Sequence, residues 1–123
     1  MSSEEVNRIT ERVIGCAYTV GNTLGCGFLE KVYENALLHE LRKTGLSVEP
    51  QYPIKVVYDG TVAGEFVADL CVEGRVLVEV KAVHDLNEVH MAQCINYLKA
   101  TGHKVCLLIN FGGLRVEVKR IVN

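Results

Sequence analysis

The chain has 123 residues, of which 49% are hydrophobic and 23% charged, with 15 acidic residues against 13 lysines and arginines. That length excludes two ordinary domains, which take roughly 100–200 residues each. The apolar content excludes a disordered chain, and the slight acidic excess excludes a generic polybasic nucleic-acid binder.

A chain of this size can bury a core without staples. Its five cysteines, Cys16, Cys26, Cys71, Cys94 and Cys106, are odd in number and show no C-x-x-C spacing. They form neither a disulfide framework nor a zinc site by pattern, and read as small apolar residues in a reducing compartment. No apolar run approaches the ~18 residues of a membrane span. The start, Met1-Ser2-Ser3-Glu4-Glu5, has neither the charged beginning nor the apolar core of a signal peptide. A soluble cytoplasmic protein, with no membrane partner, is the expectation.

No repeat or linker divides the chain, so residues 1–123 read as one domain. Ser2-Ser3-Glu4-Glu5 has capping-box spacing. Val6, Ile9, Val13, Ala17, Val20 and Leu24 then recur at steps of three or four, an amphipathic helix over residues 1–24. Gly21, Gly25 and Gly27 are expected to break it. A second helix is expected from Phe28 to Arg42, with Leu29, Val32, Tyr33, Ala36, Leu37 and Leu41 on one face and Gly45 as its cap. Ser47–Tyr58 is rich in Val, Ile and Tyr and reads as a strand, and Asp59-Gly60 is a hairpin signal. Thr61–Val72 is the returning strand. After Glu73-Gly74, the run Arg75–Ala82 reads as a central strand covered on both faces. Asp85-Leu86-Asn87-Glu88 has capping spacing and opens a helix to Ala100, closed by Gly102. Lys104–Asn110 is a short apolar strand. Leu114–Val122 alternates like an outer one. The order is α-α-β-β-β-α-β-β, an α/β (α+β) class with a mixed central sheet flanked by helices. The third helix is long enough to make its two flanking strands parallel through a right-handed crossover.

Charged groups inside apolar strands are the anomalies worth chemistry. Glu79 and Lys81 are two apart and share a face of one strand. Burying them costs free energy unless they pair or hold something. Whether Asp69 joins them depends on the turn. A two-residue loop at Glu73-Gly74 pairs Asp69 with Val78 and puts it on the other face. A three-residue loop Val72-Glu73-Gly74 pairs it with Leu77 and puts Asp69, Glu79 and Lys81 on one face; a bulge near Asp69 would do the same. Two converging carboxylates make a hard-oxygen site for Mg²⁺ or Mn²⁺. A lysine beside them could orient a water, which suits metal-assisted phosphodiester hydrolysis.

Asp69 followed ten residues later by Glu79-Val80-Lys81 resembles the PD-(D/E)xK nuclease superfamily, and the α-β-β-β-α-β order from residue 27 to 110 matches its restriction-endonuclease-like core. Gln93-Cys94-Ile95-Asn96-Tyr97 is similar to the Gln-x-x-x-Tyr motif of the RecB-type and lambda-exonuclease-type clade. Gly27-Phe28-Leu29-Glu30-Lys31-Val32-Tyr33 matches the pattern of the GxxExxY family. The resemblance implies a Mg²⁺- or Mn²⁺-dependent nuclease acting on DNA rather than RNA. It makes Asp69 and Glu79 metal ligands with the Val80 carbonyl, Glu30 an assisting acid and Lys81 the catalytic lysine. It makes Gln93 and Tyr97 neighbours of the metal and the DNA backbone, and brings in Tyr33 as a substrate contact. One departure is Ala68, where the superfamily has proline before the aspartate.

Each residue also has a plainer reading: Glu30 as an exposed carboxylate at a helix start, Gln93 and Tyr97 as residues sharing a helix face, and Tyr33 as core. The rival function is a non-catalytic nucleic-acid or protein-binding module that keeps the fold, since no basic run exceeds two residues. Setting Glu30, Asp69 and Glu79 aside as metal-neutralised leaves 12 acidic against 13 basic residues. Few phosphate contacts follow, so a homodimer, with the outer strand as its edge, or a protein partner is expected to help hold DNA.

Overall fold

The computed structural model describes residues 2–123. The Ser2 hydroxyl accepts the Glu5 N–H at 3.2 Å and starts helix α1, Ser3–Leu24. The helix buries Ile9, Val13, Ala17 and Val20, the stripe its sequence period requires. Gly21 does not break it. A Cβ there would run into the Val116 side chain, so glycine lets the segment before the last strand lie against the helix. Helix α2, Glu30–Lys43, begins two residues later than the apolar pattern suggests. Leu29 is extended at its N-cap (φ −69°, ψ 152°), and the Phe28 N–H is donated to the Tyr33 hydroxyl.

Strands β1 (Val48–Tyr58) and β2 (Thr61–Val72) form a long hairpin. Its turn residues Asp59 and Gly60 both have positive φ (51° and 75°), the pair a tight primed turn needs. Strand β3 spans Val76–Lys81, helix α3 Glu88–Thr101, and strands β4 and β5 Val105–Asn110 and Glu117–Val122. Helix α3 starts three residues after the expected Asp85. Its cap is Asn87, whose side chain accepts the His90 N–H while His90 Nδ1 accepts the Asn87 N–H; Asp85 contacts His84 instead. Strand β5 begins at Glu117 rather than Leu114, which is 98% exposed in the preceding loop.

The sheet order is β1-β2-β3-β4-β5, antiparallel except for the parallel pair β3 and β4 joined through α3. This is the mixed sheet and element order that the sequence implies. One apolar cluster joins α1 and α2 to the sheet through Val13, Leu37, Leu41, Val78, Val80 and Leu107. A second lies under α3, with Leu77, Cys94, Leu98, Cys106 and Leu108. Strands β3 and β4 are therefore buried on both faces, which is why they read as unbroken apolar runs.

Candidate active site

The turn after β2 decides the geometry. Glu73 and Gly74 have φ of 55° and 65°, and the Arg75 N–H returns to the Val72 carbonyl at 3.0 Å. The tight two-residue turn does form, but Arg75 is then left over, and Val72 pairs with Val76. The loop is three residues, Glu73-Gly74-Arg75, shifted by one from the alternative written from sequence. Leu70 faces Val78, and the same register carried one step further sets Asp69 opposite Glu79, on the shared face the chemistry needs.

The β2–β3 ladder stops at Leu70 and Val78. Beyond it the carboxylates take over the role of the ladder carbonyls. The Asp69 N–H donates to Glu79 Oε1 at 3.0 Å, and the Val80 N–H donates to Asp69 Oδ2 at 2.7 Å. Strand β2 rolls here: Leu70 packs toward α1 and α2, whereas Ala68 packs toward α3. The neighbouring Gln51 of β1, between the pairs Pro50–Leu70 and Tyr52–Ala68, takes a left-handed φ of 52°.

Glu79 is 3% exposed. Burial first, then the negative charge of Asp69, pushes its carboxyl up to about 8, against the Asp69 N–H and the Lys81 ammonium. Burial, followed by the charges of Glu34 and Glu30, pushes Asp69 up to about 6, although the Val80 N–H holds it down. A buried and a half-buried carboxylate that resist ionisation side by side are a site arranged for a cation or a proton.

Lys81 ends β3, half-buried, and makes no ion pair among the described residues. Gln93 and Tyr97 do come together on α3, with Gln93 Nε2 donating to the Tyr97 hydroxyl at 3.0 Å. Burial and the Glu79 charge raise that hydroxyl to about 12; α3 packs on the Glu79 side of β3, since Leu77, two residues before Glu79, lies in the cluster under that helix. Glu30 is exposed at the first position of α2. The acid of α2 that sequence reasoning missed is Glu34. It is 5% exposed and accepts from Lys31 Nζ at 2.7 Å and Gln51 Nε2 at 2.8 Å. The available signal was its place beside Tyr33 and three before Leu37, a carboxylate in an apolar stripe. Tyr33 is not brought to the site. Its ring is fully buried and stacks on Phe111 at 4.8 Å, and its hydroxyl donates to the Gly25 carbonyl.

No three His, Cys, Asp or Glu side chains among the described residues enclose a metal position. The donor set is instead two carboxylates and a main-chain carbonyl. Lys81 O accepts from Phe111 on the β4 side. Carbonyls alternate along a strand, so Val80 O points toward β2 and Asp69. Mg²⁺ fits such a set, since it takes one or two carboxylates and keeps several waters.

Residues 7–121 match the PD-(D/E)XK nuclease superfamily, and the chain belongs to it. Enzymes of that superfamily generally use divalent metal ions. No curated protein is found to match the chain. Among solved structures it is similar to an alkaline exonuclease from Laribacter hongkongensis, with a TM-score of 0.55 and 17% identity over 76% of this chain and 55% of that one. It is also similar to SSO0001, with a TM-score of 0.57 and 14% identity over 76% of this chain and 49% of the other. Identities this low speak for the fold alone, and the chain spans about half the length of both structures. Among the described residues no helix is long and apolar enough to cross a membrane.

Proposed function

We propose that the chain is a metal-dependent nuclease that hydrolyses DNA phosphodiester bonds. The observation that carries this reading is the pair of raised, interlocked carboxylates of Asp69 and Glu79, with Lys81 two residues on. Asp69, Glu79 and the Val80 carbonyl would hold Mg²⁺ or Mn²⁺, with Glu30 assisting from α2. When bound, the cation would neutralise charge on the scissile phosphate and make a bound water more acidic. Lys81 orients the attacking water and places a positive charge beside it. Gln93 and Tyr97 contact the substrate backbone from α3. Glu34 ties α2 to β1 beside the site through Gln51.

The whole of residues 1–123 acts as one domain, within the RecB-like and lambda-exonuclease-like clade. The Gly27, Glu30 and Tyr33 pattern supports placement in the GxxExxY family. Gly27 has a positive φ of 111°, and the Tyr33 hydroxyl braces the α1–α2 loop, so two of its three named residues shape that loop. Five free thiols suit the reducing cytoplasm. Edge strand β5 offers an unpaired side for a homodimer or protein partner.

Purified protein is expected to nick or degrade DNA with Mg²⁺ or Mn²⁺. Asp69→Ala, Glu79→Ala and Lys81→Ala should each slow it at least about a hundredfold. Activity surviving all three overturns the mechanism. One observation favours a non-catalytic binding module: both carboxylates already accept main-chain N–H groups and could serve only to close the end of the ladder. Calorimetric or thermal-shift titration with millimolar Mn²⁺ separates the two, because a purely structural pair gives no response.

A further inference from the structure

Past the point where β2 rolls, the β1–β2 hairpin continues as an arm whose apolar residues lie open. Val57 is 61% exposed and Phe66 49%. Between this arm and α3 runs a groove of about 780 Å³. Its α3 wall is the stripe Val89, Ala92, Gln93, Asn96 and Ala100, spaced as one helix face. The two alanines leave it room. Tyr97 is buried beneath it, and the Phe66 ring stands 6.1 Å from Tyr97 at 44° and is half exposed. Lys55 on the arm and Lys99 on α3 are exposed at the lips. Gln93 and Tyr97, the α3 residues of the candidate site, also line this groove, so the groove and that site share two side chains.

An occupant must satisfy three features together: an apolar channel with an open aromatic face, a cation on each lip, and a volume that takes only a drug-sized body. A flat, apolar-faced group carried on an anionic chain fits them, and an unpaired nucleotide is such a group. Duplex DNA does not fit, because its base faces are already stacked on one another. The near-neutral protein charge points the same way, since stacking supplies affinity that a −2 chain cannot obtain from phosphate contacts alone.

We propose that the groove between the hairpin arm and α3 binds an unpaired DNA strand, its bases against Phe66 and its phosphates at Lys55 and Lys99, and delivers single-stranded substrate to the Asp69–Glu79 pair. Delivery rests on the nuclease reading above; the binding does not.

The test measures anisotropy of fluorescein-labelled oligo-dT, and of a hairpin duplex of equal length, with the full chain in EDTA. Oligo-dT should bind at least about tenfold more tightly. Phe66→Ala should weaken it about 5- to 150-fold, the worth of one base stacked on an aromatic ring. With two phosphate contacts, log K against log salt should have a slope of about −1.4, moving toward zero in the Lys55→Gln/Lys99→Gln variant. These lysines are exposed, so the variant tests the groove even if Phe66→Ala fails to fold. Equal affinity for the duplex, or full affinity in the lysine variant with an unchanged slope, overturns the proposal. So does sedimentation showing a dimer that dissociates on Phe66→Ala, which would make a second copy the occupant. Hydrolysis of bis(p-nitrophenyl) phosphate by the wild-type protein with Mn²⁺ reads the catalytic centre alone. Hydrolysis without oligo-dT binding overturns the groove and leaves the nuclease; oligo-dT binding without any hydrolysis supports the groove and overturns the nuclease.

Discussion

Asp69 and Glu79 couple the folding of this protein to protons. Their folded values of about 6 and about 8 lie above the ordinary 3.8 and 4.5, so between these values the folded chain binds more protons than the unfolded one. Stability is then full below about pH 4 and falls as pH rises through about 6 and about 8. Urea melts of the metal-free protein across this range should show that fall, and Glu79→Gln, uncharged throughout, should remove its upper part. Mn²⁺ should stabilise more at pH 8 than at pH 5, because a cation takes the carboxylates deprotonated. Glu34→Gln removes a negative charge facing Asp69, so carboxyl NMR titration should find Asp69 lower than in the wild type. Asp69, Glu79 and Lys81 stood out in the sequence as charges inside apolar strands. Glu34 gave a weaker signal, its place beside Tyr33 and three before Leu37, because a helix accepts glutamate readily and its burial comes from packing against Gln51 of β1.

At the scale of elements, the site depends on how β3 and β4 end. Asn110, 1% exposed, accepts the N–H groups of Val83 and Gly112 and donates to the Val83 carbonyl, clamping the segment after Lys81 to the end of β4. Gly112 lies so close to this segment that an added Cβ would strike the Val83 and Ala82 backbone. Backbone cannot move aside as a side chain can, so Gly112→Ala should cost about 3 kcal/mol or more in a thermal melt. It should lose nuclease activity with it, by displacing Lys81. Asn87→Ala removes the α3 cap and should cost about 1 kcal/mol. The capping residue was misread because Asp85 and Asn87 are both good caps. Asn87 is the one that forms the box, with His90 returning the hydrogen bond, while the Asp85 side chain turns to His84.

Across the whole molecule, burial is uneven. Strands β3 and β4 are covered by helices on both faces, whereas the hairpin arm from Val57 to Val67 stands largely in solvent. Hydrogen exchange should be slowest at Val78, Leu107 and Leu108, and fastest in the arm near Val62. A stiff centre carrying Glu79 and Lys81, beside a compliant arm, suits the proposed roles of the two, a pair held in place next to a surface that adapts to a substrate. The surface charge remains close to neutral, so affinity for duplex DNA should be weak, with a shallow salt dependence because few phosphates are neutralised.

The sequence by itself determined the element order and the central strands and singled out Asp69, Glu79 and Lys81 as the candidate triplet, because period, turn chemistry and misplaced charge are local properties. It left the face of Asp69 open between two loops of different length. Only the tertiary structure decided it, by bulging Arg75 so that Val72 meets Val76 and Asp69 meets Glu79. It also decided that Tyr33 packs inside and Glu34 reaches the site, since which side of a helix meets the sheet is fixed by packing between distant segments, not by spacing along one.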